Sequence, residues 1–323
     1  MSSISTRNKG LSRTFVAITL YAVSQQVMAA AFALKEQSVT YLGNAFAGTA
    51  SAAEPGADTG YYNPAALVEL KHSQAMLGAT YIGAKLKLQN ATARNNIGTA
   101  VTNSGNSATP KSRGLVPGLH LAWVVNHKWA LGFSVSAPFG LNTKYNNTDI
   151  ARYMALESRI TTISYSPSVS YRVNDQFSVG AGFDAMQAKA TLSSSLNFGA
   201  EGYSINKAHG WSYGYHAGIL FKPSSITKMG LVYFSKFDPG VTGTVQTFRY
   251  PTSAPTSLIS KVHLPDRIVY GVTYQYNDQW TGMGELEWTH WSRFKSLTLT
   301  YNASSPVSEY FFYKNISPVY DDV

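Results

Sequence analysis

Arg152 and Arg159 flank Tyr153, Met154 and Leu156 in a mixed stretch that runs from Asn146 to Arg159, with Leu141 and Ile160 close by. A cation beside apolar side chains suits an amphiphile with one carboxylate: the guanidinium forms charge-assisted bonds while the hydrocarbon leaves water. The bland alternative is a solvated loop that covers its own apolar side chains. Glu285 and Glu287 lie two apart, so a strand would put both on one face. There, such carboxylates are more often solvated wall than an acid–base dyad. His209, His216 and His290 show no His-x-x-x-His or His/carboxylate spacing, so no metal site and no cofactor is expected. Serines are too common to single out a nucleophile paired with a histidine. The chain has no cysteine, which excludes a disulfide framework, a thiol nucleophile and thiolate metal ligation. No enzyme is expected.

The elements that must position these residues repeat along the chain. Ile163, Tyr165, Pro167, Val169, Tyr171 and Val173 alternate with Ser164, Ser166, Ser168, Ser170 and Arg172. Trp129, Leu131, Phe133 and Val135 alternate with Ala130, Gly132 and Ser134, and Trp211, Tyr213, Tyr215, Ala217 and Ile219 with Ser212, Gly214, His216 and Gly218. One such run fits a half-buried strand of a soluble protein. Many aromatic-rich runs of about ten residues, each with a Ser/Gly/Thr opposite face, fit an all-β transmembrane antiparallel barrel with lipid outside and a polar interior. Only 13% of residues are charged, against roughly 25% in soluble domains, while Tyr and Phe number 21 and 15. The alternation predicts nine strands: 74–88, 115–125, 129–144, 159–173, 177–192, 209–222, 228–244, 262–276 and 280–301.

Three segments follow. Arg7, Lys9 and Arg13 precede a short apolar stretch and small residues at Val27-Met28-Ala29-Ala30, so residues 1–29 are expected to be a secretory signal peptide. Residues 30–70 are Gly/Ala-rich without alternation and predict compact helical turns that cap the barrel or fold back inside it. Residues 71–323 are the barrel region. The net charge of +9 includes the basic signal segment, and no basic cluster interleaves with aromatics in the nucleic-acid manner. Lys and Arg near strand ends suit outer-membrane lipid, including lipopolysaccharide.

Two short motifs interrupt the pattern. In Asn63-Pro64-Ala65, Pro fixes φ and lacks an N–H while Asn bonds nearby backbone, which holds a tight turn against the barrel wall; an ordinary helix start is the other reading. Pro138-Phe139-Gly140 falls inside the long third strand, where Pro cannot donate to the ladder and Gly permits a bulge; a simple strand end is the alternative.

The start Ala30-Ala31-Phe32-Ala33-Leu34-Lys35-Glu36, the following Leu42-Gly43-Asn44-Ala45-Phe46-Ala47-Gly48 and Tyr62-Asn63-Pro64-Ala65-Ala66-Leu67 resemble the N-terminal hatch of the FadL/TodX family of outer-membrane transporters. Val116-Pro117-Gly118-Leu119-His120, Ser136-Ala137-Pro138-Phe139-Gly140-Leu141 and Leu264-Pro265-Asp266 follow in that family's order. The resemblance implies a fourteen-stranded barrel with an N-terminal plug, of which about nine strands are expected here, so that the chain reads as a fragment with an incomplete barrel. It implies passive, ligand-gated uptake of long-chain fatty acids or other hydrophobic compounds, with lateral release at an inward kink of strand three. Asn63, Pro64, Ala65, Pro138, Phe139 and Gly140 are then gating candidates. Leu141, Arg152, Tyr153, Met154, Leu156 and Arg159 are ligand-binding candidates, joined by Leu192, which parity turns inward beside Ala190 where the family lines its interior pocket. Aromatic hydrocarbon uptake by the same route stays open, as does a non-transport barrel, either a lipid enzyme or an adhesin. The expected partners are a hydrophobic small molecule and outer-membrane lipid, with no nucleic acid, in a monomer of the Gram-negative outer membrane.

Overall fold

The computed structural model describes residues 32–249, 254–294 and 298–301. The expected signal peptide, residues 1–29, lies outside them. From Gln74 the chain forms a 13-stranded antiparallel sheet. Its strands are β1 (Gln74–Lys85), β2 (Lys111–Val124), β3 (Trp129–Ser136), β4 (Gly140–Lys144), β5 (Glu157–Arg172), β6 (Phe177–Asn197) and β7 (Glu201–Ser224). Then come β8 (Thr227–Phe234), β9 (Gly240–Phe248), β10 (Thr256–Lys261), β11 (Arg267–Gln275), β12 (Thr281–Thr289) and β13 (Thr298–Tyr301). The hydrogen-bonded path runs β1-β2-β3-β5-β6-β7-β8-β11-β12, with β4, β9, β10 and β13 beside it.

Those four extra strands are the far halves of interrupted spans. β3 and β4 both pair with β5, β8 and β9 both pair with β7, and β10 and β11 continue as their partners in turn. The alternation predicted 129–144, 228–244, 262–276 and 280–301 as unbroken strands; each is split, or begins elsewhere. Pro138, Pro239 and Pro265 sit in three of the breaks, where a residue without an N–H cannot serve a ladder. Conversely, β6 and β7 run to Asn197 and from Glu201, well past the predicted 192 and 209. Past those limits outward parity falls on Ser193, Ser195 and Lys207 and inward parity on Ser194, Leu196 and Asn206, so the apolar-out contrast that marks a membrane strand is lost while the ladder continues.

Burial is inverted relative to a soluble protein. Ser134, Ser164, Ser166, Ser170 and Ser178 are buried, whereas Leu77, Tyr81, Trp211, Tyr213 and Tyr215 are exposed. Tyr165 and Val169 retain 39% and 37% of their surface, so no second sheet covers them. Lipid is the solvent that makes this arrangement favourable.

Residues 32–70 pack on the Ser/Gly face. They form α1 (Val39–Gly43), α2 (Thr59–Tyr62) and a 3-10 turn, Pro64–Glu69. Ser38 caps α1 by accepting from Thr40 N and Tyr41 N. Leu67, Val68 and Leu70 pack with Ala122 and Ala130 of the sheet, and Ala65 and Ala66 with Leu220. Small inward residues permit this approach: a Cβ on Gly180 would lie 2.4 Å from Ala65 N, and one on Gly218 2.2 Å from Asn63 Oδ1.

Candidate functional site

The break between β3 and β4 organises the site. β2 pairs with β3 from Leu119 to Val124 and with β4 only through Lys111 and Lys144. Between these contacts the ladder is open on that side, and a cavity of about 390 Å³ lined by Leu115, Phe139, Leu141, Asn142, Arg159 and Ile160 occupies the gap.

Buried backbone polar groups need partners, and those of the break find them away from the ladder. Ala137 N donates to Gln37 Oε1 at 2.7 Å, and Gln37 Nε2 donates to Ala137 O at 2.8 Å. Leu34 N donates to Pro138 O at 2.9 Å, and Gly140 N to Phe32 O at 2.8 Å. Thr162 serves Phe139 twice, accepting from its N and donating to its O. The chain at 137–140 is therefore joined to residues 32–37, with Ala33 and Phe139 as antiparallel bridge partners.

Behind this junction lies an apolar cavity of about 50 Å³, lined among others by Phe32, Ile160, Leu192, Val241, Leu258 and Phe294. Phe32 forms its aromatic lid, with ring centroids 5.9 Å from Phe139, 5.3 Å from Trp291 and 5.1 Å from Phe294. Phe139 borders both this cavity and the gap.

The N-terminal segment is also tied to the far side of the sheet. Glu285 accepts from Thr49 N at 2.7 Å, Ala50 N at 3.2 Å and the Thr49 hydroxyl. Glu287 pairs with Lys35 at 2.8 Å and with Arg267 at 3.7 Å. The two glutamates are thus neither solvated wall nor an acid–base pair, because each holds a separate point of the segment. His216 faces inward as parity requires, fully buried, with Nδ1 2.9 Å from Asp184 Oδ2 and Nε2 3.1 Å from Gly60 O. Asn63 combines both readings of its motif. Its Oδ1 accepts from Ala65 N at 3.0 Å, capping the turn, and its Nδ2 donates to Ile219 O of the wall at 3.1 Å. Pro64 stands at the first position of that turn.

The remaining sequence candidates divide into two groups. Leu141 and Arg159 meet Phe139 and Gly140 at the gap, and Leu192 lines the inner cavity. Arg152 and Tyr153 lie apart from both. Arg152 is 4% exposed and is held by Glu201 at 2.8 Å, by Asn103 at 3.3 Å and by Ser104. Its guanidinium lies 4.6 Å from the Tyr153 ring centroid, and Tyr153 also donates to Glu201. Leu156 N donates to Ser193 O at 2.7 Å, and Met154 is 66% exposed. Arg152 therefore ties its own connection to the 86–110 connection and to the start of β7 instead of facing an apolar groove. Sequence reasoning missed Phe32, Lys35 and Gln37, whose partners lie about a hundred residues or more away; Glu285 and Glu287, two acids facing a Ser/Gly lumen, were the one available hint.

The chain resembles known proteins in sequence and in fold. The chain is 25% identical to outer membrane protein P1 of Haemophilus influenzae over 91% of its length and 72% of that protein's. It is 24% identical to the long-chain fatty acid transport protein of an Escherichia coli strain, over 94% and 74%. Its fold matches the crystal structure of a Pseudomonas aeruginosa FadL homologue with a TM-score of 0.75 at 20% identity, covering 84% of this chain and 72% of that one. The Ralstonia pickettii toluene transporter TbuX matches at 0.65 and 18%, covering 83% and 75%. With residues 20–317 fitting the family profile described as "Outer membrane protein transport protein (OMPP1/FadL/TodX)", the chain belongs to that family of outer-membrane β-barrels.

Proposed function

We propose that the protein passes hydrophobic compounds across the outer membrane, with residues 32–70 as a plug and the β3/β4 break as a lateral exit. The observation that carries this reading is the pairing of residues 32–34 with 138–140 at an interrupted ladder. A chain pulled inward and bonded to the plug cannot also close the wall. Ligand entering the cavity behind Phe32 displaces that ring from Phe139, and the freed segment opens the path from the inner cavity to the gap. The driving term is apolar burial: roughly 25 cal/mol per Å² of ligand surface leaving water, with no energy source beyond the gradient.

The apolar lining of the inner cavity suits a hydrocarbon, the chemistry shared by the fatty acid and the toluene named for its relatives, and at about 50 Å³ it must widen, as displacement of Phe32 would allow, to admit one. For an acid, Arg159 is the cation at the gap, 54% exposed and shared with Glu157 at 2.7 Å. Arg152 is assigned to loop shape, because its donors are already engaged.

The absence of cysteine allows a direct test. Ala33 and Phe139 form a bridge flanked by the Leu34–Pro138 and Gly140–Phe32 bonds, the narrow type of antiparallel pair that suits a disulfide. With Ala33→Cys and Phe139→Cys, oxidation is expected to stop uptake of labelled fatty acid and toluene into cells, and reduction to restore it. Uptake that is equal in both states would exclude this junction from the path.

A further inference from the structure

The outer face of the sheet carries a belt of cations at one height. In its upper row Lys85 is the ladder partner of Lys111, and Lys111 of Lys144; Lys144 then faces Glu157. Two residues lower, Arg113 lies on β2, Arg159 on β5 and Lys207 on β7, with Thr191 of β6 between the last two. Two residues lower again, Lys189 faces His209. All these basic side chains are exposed. Parity turns them outward, since Ala188 and Ala208 between them are buried in the lumen and Tyr81 and Leu115 on their own faces are exposed.

The belt is short of anions. Among the described residues Glu157 is the one carboxylate in these rows, and it pairs with Arg159. Lys111, placed directly opposite both Lys85 and Lys144, faces like charge on each side, an arrangement that costs stability unless an anion relieves it.

Its height is fixed by its neighbours. Below it on the same face lie Tyr165, Phe183, Trp211, Tyr213 and Tyr215, all exposed, as rings at a membrane interface are. The long connections 86–110 and 145–156 lie at the belt end, where β6 and β7 also extend past the belt to Asn197 and Glu201, while those at the other end, such as 125–128 and 173–176, are short, which places the belt at the cell exterior.

We propose that this belt binds the phosphates of lipopolysaccharide in the outer leaflet. The cations extend from β1 to β7, and at about 4.8 Å per strand five steps of the ladder span roughly 24 Å. That width suits a broad headgroup carrying several linked phosphates better than the single phosphate of a phospholipid. The proposal depends on the outer-membrane location and not on the transported compound.

The full-length protein in detergent micelles is titrated with bis-phosphorylated lipid A, with the same lipid stripped of phosphate, and with phosphatidylglycerol. Lys111→Gln/Lys144→Gln/Lys189→Gln/Lys207→Gln is compared with Lys71→Gln/Lys128→Gln at the opposite rim. At about 1 kcal/mol per cation, the belt variant is expected to lose about a hundred-fold or more in affinity for the bis-phosphorylated lipid and much of its salt dependence, while the rim variant keeps both. If the quadruple variant does not fold, the Lys111/Lys144 and Lys189/Lys207 pairs are measured separately, each with a loss of about thirty-fold. Equal affinity for the dephosphorylated lipid or for phosphatidylglycerol would overturn the proposal, as would unchanged binding by the belt variants or an equal loss in the rim variant.

Discussion

Asp58 is a single side chain on which the seat of the N-terminal segment depends. Ser38 Oγ, which caps α1, donates to Asp58 Oδ2, while Oδ1 is buried without a hydrogen-bond partner among the described residues. Burial pushes this carboxyl above its ordinary range, against the bond from Ser38 and the attraction of His120. A carboxyl raised in the folded state stabilises the fold most in acid. The contribution is full below the unfolded value of about 3.9 and is lost as pH rises through the folded value. Hydrogen exchange across residues 38–62, corrected for intrinsic rates, should therefore show falling protection as pH rises through that point. In Asp58→Asn this slope should vanish, because the amide still accepts from Ser38 and never ionises; an unchanged slope would assign the effect to another group.

At the scale of elements, the β3/β4 break is maintained by Pro138 and Gly140 together with their partners. Pro138 offers only a carbonyl, taken by Leu34, and a Cβ on Gly140 would meet Leu34 Cδ1 at 2.7 Å. Pro138→Val/Gly140→Val both restores a donor and crowds Leu34, so the strand is expected to straighten toward β2 and the gap to narrow. Uptake at equal surface expression should fall at least ten-fold. Undiminished uptake would remove this break from the path. Pro138 and Gly140 were legible in the sequence as an interruption, since both residue types oppose a regular ladder. Where the freed backbone groups go was not, because Gln37 is an unremarkable residue until the fold brings it a hundred positions along the chain to Ala137. The same distance hid Phe32 and made Arg152 look like a ligand for an acid when Glu201, 49 residues away, already holds it.

For the whole molecule, period-two alternation sufficed to read a barrel with an aromatic exterior, because every strand crossing lipid must repeat the same contrast. Strand ends were less legible, since past the predicted limits Ser193, Ser195 and Lys207 take outward positions while Leu192 and Leu196 face inward, and the apolar-out contrast is lost. The orientation of the tryptophans offers a direct check. Trp129 and Trp211 are 44% and 47% exposed on the lipid face, while Trp291 is 2% exposed beside Phe32. In vesicles of brominated lipid, variants retaining only Trp129 or only Trp211 should lose most of their fluorescence, and one retaining only Trp291 should stay bright. Equal quenching of all three would contradict the inside–outside assignment.

The anchors of the N-terminal segment also set an order in time. Thr49 and Glu285 are 236 residues apart, and Lys35 reaches Glu287 on the same late strand. Contacts of such separation form after local hairpins have closed. The first residues of the described chain are thus among the last to settle, waiting for β12 while the hairpins between them zip up. Until then the backbone at 137–140 lacks the partners that hold it out of the ladder, so an assembling barrel passes through a stage in which nothing yet props its side opening apart.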